Sequence, residues 1–283
     1  MKRRFYLQNE LGQQIDMNDL NNSCLLTSPQ NLGCSYASNF DQIGNTFIES
    51  NRKIEQKNPT GILNFKTYDK CKEIIDFIEK AEKLKWVYIL PYTTGSKTYF
   101  RDVSLKSLDK SEKSIAKLAC PIEFNGLSLW YEENITTYTI SAENNELRWD
   151  FKWDSRFVDY DVRRLQFINK GHTEAPIAVE IDGHVINPKI SLYVEGQLAQ
   201  QVSINVEIAE YEKLLYGTKE GNFYINRQKT DGTLEDLFNL DSINPANDNV
   251  LRLPKNKSCE LRLTADNEIL NAQVTIFVYY VAV

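Results

Sequence analysis

The chain has 283 residues, 42% of them hydrophobic and 25% charged, with 33 Lys and Arg against 39 Asp and Glu and a formal net charge of -6. This balance excludes a protein whose main task is to grip nucleic acid phosphates, which needs clustered cations. Two His and five scattered Cys leave little material for imidazole catalysis or a dense metal site.

Other exclusions follow from the pattern along the chain. No run approaches the ~20 apolar residues of a membrane-spanning helix. The basic start, Met1 to Arg4, has no apolar stretch of the signal-peptide kind behind it. Cys24, Cys34, Cys71, Cys120 and Cys259 form no C-x-x-C pair, which reads as free thiols made in a reducing compartment. At roughly 150 residues per domain, two domains are expected. Residues 1–140 carry 18 basic and 17 acidic side chains, whereas residues 141–283 carry 15 and 22. The acidity therefore belongs to the second half, and the boundary is expected near residue 140.

In chain order, Arg4 to Gly12 reads as a strand and a turn. Ser28 to Gly33 is a turn cluster. Phe40 to Glu49 reads as a loop-bounded strand. Gly61 to Lys66 alternates apolar and polar, the mark of a half-buried strand. From Tyr68 to Leu84 the apolar positions recur every three or four residues, which predicts an amphipathic helix of about four turns with Thr67 as its N-cap. Asp76 with Lys80 and Glu79 with Lys83 are spaced to pair along its polar face. Strands are expected at Trp86–Tyr92, Thr98–Leu105 and Ile115–Phe124, followed by Leu127–Tyr131. The polar run Glu132 to Asn145 reads as a linker.

The second half reads as short strands separated by turns. They fall at Leu147–Trp153, Leu165–Asn169, Ile177–Ile181, Lys189–Val194, Val202–Ile208, Asn222–Asn226, Val250–Leu253, Cys259–Thr264 and Gln273–Val281. Leu234 to Leu240 reads as a further strand or a helical turn. Regularly spaced short strands predict a β-sandwich.

Chemistry-bearing motifs are scarce. The sequence has no G-x-S-x-G elbow, H-E-x-x-H, P-loop or G-x-G-x-x-G. His172 and His184 lie beside turn glycines, twelve residues apart, and read as surface turn residues rather than metal ligands. Asp150 and Asp154 could form a glycosidase-like pair, but an acidic chain offers many such pairs. Trp149 and Trp153 could stack on sugar rings. With Phe151 they fall on one strand face, which is the ordinary pattern of a buried core. No catalytic residue, metal ligand or cofactor site is assigned.

An ordered series of segments carries a resemblance. It comprises the turn Pro29 to Gly33, Phe40 to Phe47 with Ile43-Gly44, the strand Thr60 to Phe65, and the helix from Tyr68. The strands Trp86 to Tyr92 and Thr98 to Leu105, then Ile115 to Phe124 and Leu129 to Glu132, complete it. The first 135 residues resemble the N-terminal domain of the distal tail proteins of phages with long, non-contractile tails. Residues 146–283 look similar to that family's galectin-like sandwich through Phe167 to Gly171, Ala175 to Gly183, Asn187 to Ile190 and the closing strand Ala272 to Tyr280.

The resemblance implies a mainly β chain. Its N-terminal β-sandwich or split-barrel-like domain (1–140) carries one packed amphipathic helix, and a galectin-like β-sandwich follows (141–283). It implies a structural hub of the tail tip or baseplate, in the virion, made in the bacterial host cytoplasm. Six copies would form a ring linking the tail tube, built of major tail protein, to tail-tip and receptor-binding proteins. DNA would pass through the channel without specific binding, and no membrane is involved. Asn31, Leu32, Gly33, Phe40 and Phe47 are the expected ring contacts. The alternative is a carbohydrate-binding adhesin using Trp149 and Trp153.

Overall fold

The computed structural model describes residues 3–92, 95–110, 112, 117–139, 163–238, 249–267 and 271–283. It is mainly β, built from antiparallel strand pairs, with one helix among the described residues. No described helix is long and apolar enough to cross a membrane. Two compact units emerge, Met1–Glu132 with Tyr279–Val283, and Glu133–Val278.

The first unit begins with β1 (Arg4–Asn9), β2 (Gln14–Asp16), β3 (Leu25–Gln30), β4 (Tyr36–Ile43), β5 (Thr46–Ile54) and β6 (Thr60–Phe65). Helix α1 (Tyr68–Lys80) follows, then β7 (Leu84–Tyr92), β8 (Gly95–Leu108), β9 (Leu118–Gly126) and β10 (Trp130–Thr139). Its sheet runs β2-β1-β7-β8-β9-β6-β3, and β10 joins β8 with Tyr131 opposite Phe100. Residues just after β2 draw the two ends together. Met17 donates its N–H to Phe5 and accepts from Leu26 N–H. The Asn18 amide bonds both backbone groups of Phe5, at 2.8 Å each, as a neighbouring strand would. The result is a split barrel.

Strand alternation fills this barrel. Along β9, Leu118, Cys120, Ile122 and Phe124 point inward while the residues between them do not. Trp86 is fully buried and meets Phe124 edge-on at 5.2 Å, and Phe5 stacks on Tyr88 at 5.1 Å. Helix α1 lays Cys71, Ile74 and Ile78 on the core, and the Thr67 hydroxyl accepts from Lys70 N–H as the predicted cap.

Several expectations need correction. The helix stops at Lys80, not Leu84. Beyond it, one Glu10 carboxylate oxygen accepts the N–H groups of Glu82 and Lys83 and turns the chain into β7. A bond from its own backbone N–H, then those from Lys83 and Glu82, hold the Glu10 carboxyl below its usual range. Lys83 lies outside the helix, so its spacing from Glu79 carries no helical pairing. The region read as one strand from Phe40 to Glu49 is the turn of a hairpin between β4 and β5. The run from Glu132, expected as a linker, is strand as far as Thr139. Its β-branched and aromatic residues, Ile135 to Tyr138, outweigh its polarity.

The second unit holds β11 (Arg163–Ile168), β12 (Ala175–Asp182), β13 (Val185–Ile186), β14 (Lys189–Val194), β15 (Gln197–Ser203) and β16 (Glu207–Ile208). It continues with β17 (Lys213–Lys219), β18 (Asn222–Gln228), β19 (Leu234–Asp236), β20 (Arg252–Leu253), β21 (Ser258–Thr264) and β22 (Asn271–Tyr280). One sheet runs β19-β18-β17-β12-β22, with β20 also on β12, and a second runs β11-β21-β14-β15. Each hides alternate residues, such as Ile177, Val179 and Ile181 in the first and Cys259, Leu261 and Leu263 in the second. That is the patterning of two layers facing one core.

Strand β17 escapes sequence reading because Gly217 and its lysine ends mask it. There the ring of Tyr224, on the neighbouring strand, occupies the space a Cβ at Gly217 would need. The stretch expected as one strand from Val202 to Ile208 divides between β15 and β16. Leu234–Asp236, read as a strand or a helical turn, is a short strand. The expected strand Leu147–Trp153 lies outside the described residues.

Candidate assembly interface

Strands β4 and β5 pair with each other and with no other described strand. Every residue of β5 is exposed, and all but one of β4. Gly44 opens the two-residue turn between them at φ 62°, a conformation glycine adopts without strain and the first position of a type II′ turn demands. Two strands alone are marginal in water and need a sheet or helix behind them. Among the described residues this hairpin has neither, yet its outer half exposes Phe40, Ile43, Phe47 and Ile48.

The register assigns its faces, because residues directly opposite share one. Phe40 lies opposite Glu49 and Gln42 opposite Phe47, which puts both phenylalanines on one face. Asp41 lies opposite Ile48 and Ile43 opposite Thr46, which puts both isoleucines on the other. Phe40, Phe47, Ile43 and Ile48 are 60%, 66%, 64% and 51% exposed. Nearer the base, Tyr36 opposes Ile54, and the Arg52 guanidinium sits 3.8 Å from the Tyr36 ring centre. A bulge between Asn39 and Phe40 leaves Ser50 unpaired, and its hydroxyl bonds Asn39 O at 3.3 Å. Ser38 donates to Glu49 across the bulge, which keeps the first face continuous from tip to base.

The expected contact residues fall in different settings. Phe40 and Phe47 sit together on the hairpin. Asn31 stands before it at φ 61°, its side-chain amide donating to Asn58 O at 2.8 Å. Leu32 is half-buried against the core of the first unit. Gly33 is exposed with open space around it. Trp149 and Trp153 lie outside the described residues. Sequence reading missed Tyr36, Ile43, Ile48 and Ile54 as members of the surface. The signal was present in Gly44-Asn45, a turn dipeptide between two β-rich runs.

Elsewhere the structure offers little for chemistry. Among the described residues no three His, Cys, Asp or Glu side chains are grouped to hold a metal. His184 Nε2 pairs with Glu207 at 3.0 Å on the surface. A cavity of about 460 Å³ in the second unit is lined by Leu192, Val194, Val250 and Pro254 together with Glu174 and Arg252.

The split barrel, its helix and its projecting hairpin fall within a stretch that matches a known family. Residues 4–127 match the model of the distal tail protein, N-terminal domain. This stretch is similar to that domain.

The likeness in fold extends past residues 4–127 to the whole chain. A chain of the phage P2 baseplate in its activated conformation with Ca superposes with a TM-score of 0.72 at 15% identity, covering 100% of both chains. The same baseplate with Sr gives 0.71 at 14% identity, again over 100% of both. The SPP1 Dit protein, described as a paradigm of hub adsorption apparatus in phages infecting Gram-positive hosts, gives 0.55 at 9% identity. That match covers 96% of this chain and 98% of the other. No curated protein matches the sequence.

Proposed function

We propose that this chain is a structural hub of a phage tail tip. Its N-terminal domain, residues 1–140, assembles into a closed ring of six copies between the tail tube and the tip proteins. Its C-terminal domain, residues 141–283, is a galectin-like sandwich that offers docking surfaces to receptor-binding and other baseplate proteins. The ring leaves a channel through which DNA passes without specific contacts. The place of action is the virion tail tip, and the role is mechanical rather than catalytic.

One observation carries this reading. A distal tail domain presents a two-stranded hairpin with about 600 Å² of apolar side-chain surface and no support of its own. Such a surface calls for a partner. Contacts between unlike patches that close by rotation make rings. Asn31 and Gly33, at the entry to the hairpin, would lie at the same contact. The near-neutral first half suits close association, whereas the acidic second half repels DNA and wall polyanions.

Sedimentation velocity and negative-stain images of the purified full chain test the proposal. The expected result is a six-fold ring, reduced to monomer when residues 37–53 are replaced by a short Gly-Ser turn. A chain that stays monomeric at every attainable concentration would overturn it.

A further inference from the structure

The second unit carries a charge arrangement that its folding does not need. In the sheet β11-β21-β14-β15, Cys259, Leu261 and Leu263 of β21 are buried, so Glu260 and Arg262 lie on the outer face. Arg164 stands directly opposite Arg262 on one side and Ser191 on the other, with Gln201 opposite Ser191. Arg164, Arg262, Ser191 and Gln201 thus form one row across all four strands, about 14 Å long. Lys189 lies two residues from Ser191 on the same face. The strand residues of this face hold three cations, Arg164, Arg262 and Lys189, and one carboxylate, Glu260. Yet this half of the chain has 22 acidic and 15 basic side chains.

Like charges directly opposite on neighbouring strands oppose folding. Glu260 offsets part of this. Its Oε1 accepts from Arg262 Nε and lies 3.9 Å from Arg164 Nε. Two guanidinium groups bring about ten N–H donors, whereas one carboxylate has about four lone pairs. The acids beside the face have partners of their own, Glu195 with Lys257 at 3.8 Å and Asp266 with Asn187 at 2.7 Å. Arg262 is also held in place, its guanidinium carbon 3.8 Å from the Tyr193 ring centre. A fixed planar fork with a second one beside it suits the grip of an oxyanion.

We propose that this row binds a phosphate or carboxylate group borne on a hydroxyl-rich carrier, such as an acidic sugar. The anion lies between Arg164 and Arg262, and Lys189 adds to the attraction. The Ser191 hydroxyl and the Gln201 amide stand in line to bond the carrier's hydroxyl groups. The acidity of the rest of this half repels anions elsewhere, which confines them to this face. The site goes beyond the hub role proposed above and needs no ring.

Calorimetric titration of the full-length chain tests it with glucuronate, glucose 6-phosphate, glucose and inorganic phosphate. The two acidic sugars are expected to bind at millimolar concentration and to raise Tm, whereas glucose does neither. Inorganic phosphate is expected to bind several-fold more weakly than glucose 6-phosphate, since it carries no further hydroxyl groups for Ser191 and Gln201. In R164Q/R262Q the affinity for both acidic sugars is expected to fall at least tenfold. In R262K it falls as well, because an ammonium keeps the charge and loses the fork. R164Q alone is expected to melt at or above the wild-type Tm, since it relieves the opposition of two like charges. Equal binding by wild type and folded R164Q/R262Q, or no binding of either acidic sugar, overturns the site. Glucose binding as tightly as glucuronate, or bare phosphate as tightly as glucose 6-phosphate, overturns the class of ligand. A Tm several degrees lower in R164Q makes the arginine pair structural and overturns the proposal. None of these outcomes bears on ring formation.

Discussion

Arg101 shows how closely the barrel interior is fitted. The residue is 96% buried, and its guanidinium donates to Ser128 O at 3.0 Å and lies 5.7 Å from the Trp130 ring. Burial pulls it down to about 10, so it keeps its charge at neutral pH. Gly126 makes room for it, because a Cβ there would stand 2.5 Å from both Arg101 Nη2 and Lys57 O. The thiols answer to the same burial. Desolvation pushes Cys24 up to about 12 and Cys71, which also faces the Cys120 thiol, up to about 11. Cys259 is raised as well. Because the thiolate is the reactive form, a raised thiol is a slow one. At pH 8 a maleimide is expected to label Cys34 alone in the folded chain and all five cysteines after denaturation, read by intact mass. Labelling of Cys24 before unfolding would contradict the packing described.

At the scale of elements, local signals and distant partners decide different things. The period of α1, its Thr67 cap and its buried Cys71, Ile74 and Ile78 are readable from neighbouring residues. The cap bond is long, at 3.4 Å, so Thr67→Ala is expected to cost about 0.5 kcal/mol, the low end for such caps. A loss above about 2 kcal/mol in chemical denaturation would mean the hydroxyl does more than cap. The helix end was not readable, because the group that turns the chain is Glu10, more than seventy residues away. The β4–β5 hairpin was half readable. The strand character around Phe40 and Phe47 could be read, but the second strand and the isoleucine face emerge only from the register.

At the scale of the molecule, the last residues matter to the first unit. Tyr280 donates its hydroxyl to Glu132 Oε2 at 3.0 Å and meets Tyr99 edge-on at 5.6 Å. Tyr279 packs on Tyr131 at 5.5 Å, and Val283 rests against the same core. Burial first, then the neighbouring carboxylate, raises the Tyr280 hydroxyl. Deleting residues 279–283 removes two packed tyrosines and is expected to destabilise the first unit by roughly 3 kcal/mol, or about 10 °C in Tm. Calorimetry of the shortened chain checks this, and an unchanged melting profile would refute it.

The mainly β class and the placement of α1 and most strands are legible in the amino-acid sequence. Those properties depend on residues close in the chain, through side-chain period and turn chemistry. Alternation in β9 or β21 can be seen because each strand hides one face. Which strands neighbour one another, and that Met17 and Asn18 draw the barrel's ends together, emerges from the folded chain alone. So does the hairpin's standing without a described sheet behind it. Burial and pairing are set by groups far apart in sequence. A phenylalanine reads the same in a core strand as on an unsupported hairpin, and its exposure depends on what the rest of the chain places over it.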